Sequence, residues 1–126
     1  MKAMKSAPAR DGPVRETFSD GTLAAAGRFR DGKRTGPWKY YLRNGRLRAA
    51  GRFESGLMVG LWKWFRENGN PLQTGRFAEG KQVGVWKRFH PNGKLYDVGG
   101  YVAGKKSGEW RTYDATGKLV RKKTHA

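Results

Sequence analysis

The chain has 126 residues, of which 37% are hydrophobic and 29% charged, with a formal net charge of +17. That length bounds it to one modest domain. The absence of cysteine excludes a disulfide framework, a thiolate metal site and a cysteine nucleophile. The charge predicts attraction to anionic partners, whether nucleic acid, acidic lipid headgroups or an acidic protein face.

Residues 1–12 hold Ala, Pro, Lys and Ser without periodicity and read as a disordered leader. Lys2 and Lys5 are followed by no apolar run, so neither a signal peptide nor a membrane helix is read there. A cytoplasmic location is expected. The repeat domain is expected over residues 13–122. It opens on a degenerate half-repeat at 13–20, in which Val14 stands where Trp38 stands one period later. Four repeats of 24 residues follow at about 21–44, 45–68, 69–92 and 93–116. Trp38, Trp62, Trp86 and Trp110 form one column, and Phe29, Phe53, Phe77 and Tyr101 another. Of the 19 glycines, all but Gly12 and Gly100 are assigned to four columns. A fixed period in this range marks a repeat architecture. A second half-repeat closes the domain, and residues 123–126 are read as a basic tail in which Thr124 to Ala126 are expected to fray.

Each repeat contains two short extended stretches separated by turns. Asp20-Gly21, Asn44-Gly45, Asn68-Gly69 and Asn92-Gly93 suit two-residue type I′ hairpins. The other connection, Gly32 to Gly36 and its copies, is expected as a longer loop with about four residues at its tip. So much glycine makes a helix costly. The fold expected is all-β: an elongated, single-sheet antiparallel β-meander of β-hairpin repeats with degenerate caps. Ten strands at about 4.8 Å each would span roughly 45 Å.

These turns set a register. Trp38 is placed opposite Gly51, Gly36 opposite Phe53, Phe29 opposite Trp38 and Arg28 opposite Lys39. Trp38, Trp62, Trp86 and Trp110 then share one face with Gly51, Gly75 and Gly99, each ring covering bare glycine backbone of the next repeat. All of these are read as structural, because aromatic rings laid over glycine stabilise strands.

The opposite face is expected to bind. There Arg28 and Lys39, Arg52 and Lys63, and Arg76 and Lys87 are read as direct cross-strand pairs that Arg111 extends. Tyr41, Phe65, Phe89 and Tyr113 share that face. Cations interleaved with aromatics suit single-stranded nucleic acid, acidic lipid or an acidic groove on a protein. Equally, lysine and arginine stems can lie over aromatic rings with no partner involved. A second candidate is Leu57-Met58-Val59, read as an exposed apolar loop tip close to Trp64, for a partner or for self-association.

The acids are scattered near turns, and His90 and His125 stand alone, so neither catalysis nor a metal or cofactor is expected.

The frame Gly51-Arg52-Phe53, Gly56, Gly60-Leu61-Trp62, Phe65 and Asn68-Gly69 resembles the MORN repeat. It is closer to the bacterial variant of YwqK-like antitoxin proteins. The better-known MORN form is a residue shorter and usually has glycine where this chain has Trp62. The resemblance implies a β-hairpin sheet serving as a binding platform and, in the YwqK-like branch, neutralisation of a toxin partner. It brings no catalytic residues. The expectation is thus a non-catalytic scaffold for a partner protein, of antitoxin or immunity type. The alternative is a module for anionic lipid headgroups or single-stranded nucleic acid.

Overall fold

A computed structural model describes residues 11–126. Among the described residues ten strands follow one another: β1 (Gly12–Thr17), β2 (Leu23–Arg30), β3 (Lys33–Tyr41), β4 (Leu47–Glu54), β5 (Leu57–Phe65), β6 (Pro71–Ala78), β7 (Lys81–Phe89), β8 (Leu95–Val102), β9 (Lys105–Tyr113) and β10 (Leu119–His125). They form one ten-stranded sheet in sequence order, each strand antiparallel to the next, which is the meander expected.

The two kinds of turn exchange the roles assigned to them. Asp31 and Gly32 both have positive φ, 52° and 76°, as do Ser55-Gly56, Glu79-Gly80 and Ala103-Gly104. These are the two-residue type I′ hairpins, closed by pairs such as Arg30 with Lys33. The extra residues lie further along the strand. Between the pairs Ala26–Lys39 and Arg28–Thr35, Gly36, Pro37 and Trp38 all stand against Gly27 alone. Gly36 has a φ of 66°, which lets the backbone bulge there without a Cβ clash.

At the Asn-Gly connections only the glycine has positive φ, 87° at Gly45. The loop has three residues, Arg43-Asn44-Gly45, closed by Leu42 N–H donating to Arg46 O at 2.8 Å. The Asn44 side chain accepts from Arg46 N–H at 2.8 Å, an Asx turn that keeps the asparagine right-handed. A three-residue loop shifts the register by one. The bulge at Arg48, between the pairs Tyr41–Leu47 and Tyr40–Ala49, shifts it back. Trp38 therefore meets Gly51, and Gly36 meets Phe53, as expected, although by a different route.

The other half of the expected register is corrected. Arg28 pairs with Thr35 and Lys39 with Ala26, so neither Phe29–Trp38 nor Arg28–Lys39 is a direct pair. Likewise Arg52 pairs with Val59 and Lys63 with Ala50. Arg76 pairs with Val83 and Lys87 with Thr74. Relative to a four-residue loop, the tight turn moves the partner of Arg28 by four residues, and beyond the bulge the partner of Lys39 is moved by two.

Both ends also differ from the sequence reading. The expected leader lies outside the described residues up to position 10, whereas Gly12 begins β1 and pairs with Phe29. Gly12 thereby joins the column of Gly36, one period earlier. At the other end β10 runs to His125, which pairs with Gly108, so 123–125 are strand rather than tail.

The core is a single layer on one face. Trp38 and Trp62 are each 1% exposed, and Trp86 and Trp110 are also buried. Each indole lies flat on the glycine of the preceding strand, in its own repeat rather than the next. A Cβ on Gly51 would sit 2.0 Å from Trp62 Cδ2, and Gly27, Gly75 and Gly99 are covered likewise by Trp38, Trp86 and Trp110. The indole N–H donates to the carbonyl of the residue after that glycine, as Trp62 does to Arg52 O at 3.1 Å. Phenylalanine or tyrosine edges close the sides: Phe53 is 5.2 Å and T-shaped to Trp62, and Phe77 is 5.1 Å from Trp86. Each ring hides about 200 Å² from water, worth about 5 kcal/mol at the usual area coefficient.

A candidate binding face opposite the indoles

Strand alternation assigns the charged residues to two faces with different fates. On the indole face three charged residues of β3, β7 and β9 are used internally, while Arg121 and Lys123 of β10 are exposed. Arg34 lies 4.7 Å from the Trp38 ring and pairs with Glu16 at 3.2 Å. Lys106 lies over Trp110 at 4.5 Å. Arg88 grips Asp97 with both ends of its guanidinium, Nε to Oδ1 at 3.0 Å and Nη2 to Oδ2. Asp97, 4% exposed, is the one buried charged residue among those described. Its hydrogen bonds push the Arg88 pKa further up.

Sequence reasoning passed over Asp97. Its column holds Ala25, Ala49 and Gln73, while the facing column holds Tyr40, Trp64 and then Arg88. The signal was a graded departure in two facing columns: Tyr40 over Ala49 gives way to Trp64 over Gln73 and then to the ion pair Arg88–Asp97.

On the opposite face Arg28, Lys39, Arg52, Lys63, Arg76 and Lys87 are all exposed, and among the described residues none is in a salt bridge. They do not form the expected line of touching pairs. Lys39, Lys63, Lys87 and Arg111 occupy β3, β5, β7 and β9, with Ala50, Thr74 and Val98 between them. Arg15 on β1 pairs with Ala26 and begins this row, one period before Lys39. Arg28, Arg52 and Arg76 form a second, staggered row on β2, β4 and β6.

Cations within a row are about 9.6 Å apart, twice the strand spacing. At that distance two charges repel by only about 0.4 kcal/mol in water before salt screens them. Stagger therefore removes the like-charge cost that direct pairing would impose. At one end Arg111 does face a cation, Lys122, and is held by Glu109 at 2.6 Å. That bond, with the Arg111 charge, lowers the Glu109 pKa.

Tyr41, Phe65, Phe89 and Tyr113 are half-buried on this cation face, opposite Leu47, Pro71, Leu95 and Leu119. The Leu57-Met58-Val59 segment is not a loop tip. It is the start of β5, because the turn is Ser55-Gly56. Met58 packs against the core cluster, Val59 faces Arg52, and only Leu57 is exposed, at 49%. Trp64 belongs to the indole face, stacked at 5.7 Å on Trp62 and 5.8 Å from Trp86. The cation and aromatic candidates thus come together on one face, while Met58 and Trp64 join the other.

Fold and face together define an open β-hairpin repeat platform with one self-covered side and one free side. The MORN repeat variant family matches residues 58–79, 82–102 and 106–126, together half of the chain. The chain belongs to that family, whose repeats serve as binding and scaffold modules. No curated protein matches the chain. Among solved structures it is similar to TarM, with 17% identity over 71% of this chain and 18% of that chain, at a TM-score of 0.45. It is also similar to the GtfA/B complex bound to UDP and GlcNAc, with 12% identity over 95% of this chain and 25% of that chain, at a TM-score of 0.34. The chain spans a quarter or less of the length of either, and likenesses this slight bear on neither its fold nor its function.

Proposed function

We propose that the protein is a non-catalytic scaffold whose cation face receives an acidic partner protein. One observation carries this reading. On the indole face Arg34, Arg88 and Lys106 are paired or laid over rings, whereas on the opposite face Arg28, Lys39, Arg52, Lys63, Arg76 and Lys87 are all exposed and in no salt bridge among the described residues. A surface kept free of acids along its central rows attracts an anionic surface and raises its association rate. An antitoxin or immunity-type role, implied by the YwqK-like resemblance, is one form of this reading, with the toxin as the acidic partner.

The second reading, anionic lipid or single-stranded nucleic acid, draws on the aromatic row beside the cations, since bases stack on such rings. A tagged pull-down from nuclease-treated lysate of the cells that make the protein separates the two. The scaffold reading expects one polypeptide, retained by wild type and lost by K39E/K63E/K87E. Recovery of lipid or residual nucleic acid alone, stripped by salt, would reject it.

A further inference from the structure

The long cation row has a step and a pitch. Its five members, Arg15, Lys39, Lys63, Lys87 and Arg111, stand on alternate strands about 9.6 Å apart. Between them lie the small or short residues Ala26, Ala50, Thr74 and Val98, which leave a trough between successive long side chains. Adjacent strands rotate by about 20–25° in a twisted sheet, so each cation points about 40–50° further round the row than the last. Five of them sweep about 160–200°. A flat bilayer or a straight rod meets two or three such heads at once; a flexible chain can follow them all.

The step selects among flexible chains. In an extended polypeptide every third residue recurs after about 10 Å, and in polyproline II after about 9.3 Å. Side chains of a fully extended strand alternate sides, so only polyproline II, with three residues per turn, turns every third side chain toward the row. Beside it, Leu61 and Val85 are 43% and 62% exposed, and Phe65 and Phe89 are half-buried on the other flank.

We infer that the cation face is the track for an acidic segment of a partner protein in the polyproline II conformation, with a carboxylate at every third residue. This rests on the cation face being the binding surface. The segment's backbone lies over Ala50, Thr74 and Val98, its carboxylates meet Lys39, Lys63 and Lys87, and intervening apolar residues rest on Leu61 and Val85. The five cations span four steps, so the segment that fills the track is about 13 residues long.

The test uses the whole protein and two synthetic peptides of roughly 16 residues, a length set by the span of the track. One carries Glu at every third position among Gly and Ser; the other has the same composition with its Glu in one block. Anisotropy titrations at low salt should give about tenfold tighter binding for the spaced peptide, a difference of about 1.4 kcal/mol. The affinity should weaken with salt and vanish in both K39Q/K63Q/K87Q and K39E/K63E/K87E. Equal binding of the two peptides would overturn the spacing and leave the face intact. Tighter binding of an oligothymidylate, or of phosphatidylserine vesicles, would overturn the acidic-peptide occupant. Failure of every polyanion to respond to the lysine substitutions would overturn the reading of the face itself.

Discussion

At the scale of single residues, the protein depends on what is missing from four glycines. A methyl group on Gly51 would meet the Trp62 ring at 2.0 Å, too close for any shift of the ring short of lifting it off the sheet. Gly51→Ala is therefore expected to cost about 3 kcal/mol, through overpacking. Gly45 has open space around it but a φ of +87°, so Gly45→Ala should cost about 1–2 kcal/mol for conformation alone. Urea unfolding of both variants checks the order.

His125 stands in the column of Phe29, Phe53, Phe77 and Tyr101 and meets the Trp110 ring edge-on at 6.3 Å. Desolvation first, then Lys123 and Lys106, lowers its pKa. A lowered folded-state pKa means that its contribution is present above the unfolded value and lost as pH falls through the folded one. Amide protection in β10 should therefore weaken as pH drops below about 6.5. In His125→Phe this dependence should disappear. Hydrogen exchange at pH 7 and pH 5 reads both.

The tryptophan and glycine columns were legible because the period brings them back four times. Which glycine each ring covers was not. Trp38 pairs with Gly51 but lies on Gly27, and the choice rests on the direction the indole takes from its bulged backbone.

At the scale of the element, the turns show how a correct register can arise from the wrong turn. Asn44-Gly45 has the composition of a type I′ turn, yet the Asn44 side chain caps its own loop and leaves only the glycine left-handed. The preferred conformation passes instead to Asp31-Gly32 and its copies. Asp31-Gly32 has a composition that suits this turn, but the copies hold Ser55, Glu79 and Ala103 at the first position, none of which favours positive φ. The bulge at Arg48 cancels the extra loop residue, so one register survived, whereas the two-residue bulge at Gly36 had no signal beyond its glycine and moved the other.

Ala103, at a φ of 48°, is the least suited of the four first positions. Ala103→Asn should stabilise the protein by about 1 kcal/mol, because asparagine tolerates the left-handed region and Asn-Gly is the preferred pair there. A rise in the urea midpoint at unchanged slope is the expected result.

At the scale of the whole molecule, the repeat produces two unlike faces from one 24-residue frame. Even spacing places an indole on one side of every second strand and a cation on the other, so a period selected for packing also builds a charged lattice. The sequence showed which residues would share that lattice, because alternation depends only on parity. It did not show that the cations would be staggered, since that depends on the bulges. Met58 and Trp64 have the parity of Trp62 along β5 and so join the indole side; reading 57–59 as a loop tip, when the turn is Ser55-Gly56, hid this for Met58.

Lysine footprinting of the protein with its captured partner tests most directly that the cation face is the functional surface. Acetylation rates would be compared in the free and bound states. Protection is expected at Lys39, Lys63 and Lys87, with Lys106, which lies over Trp110 on the other side, unchanged. Unaltered reactivity at those three lysines in a saturated complex, or protection confined to Lys106, would contradict it.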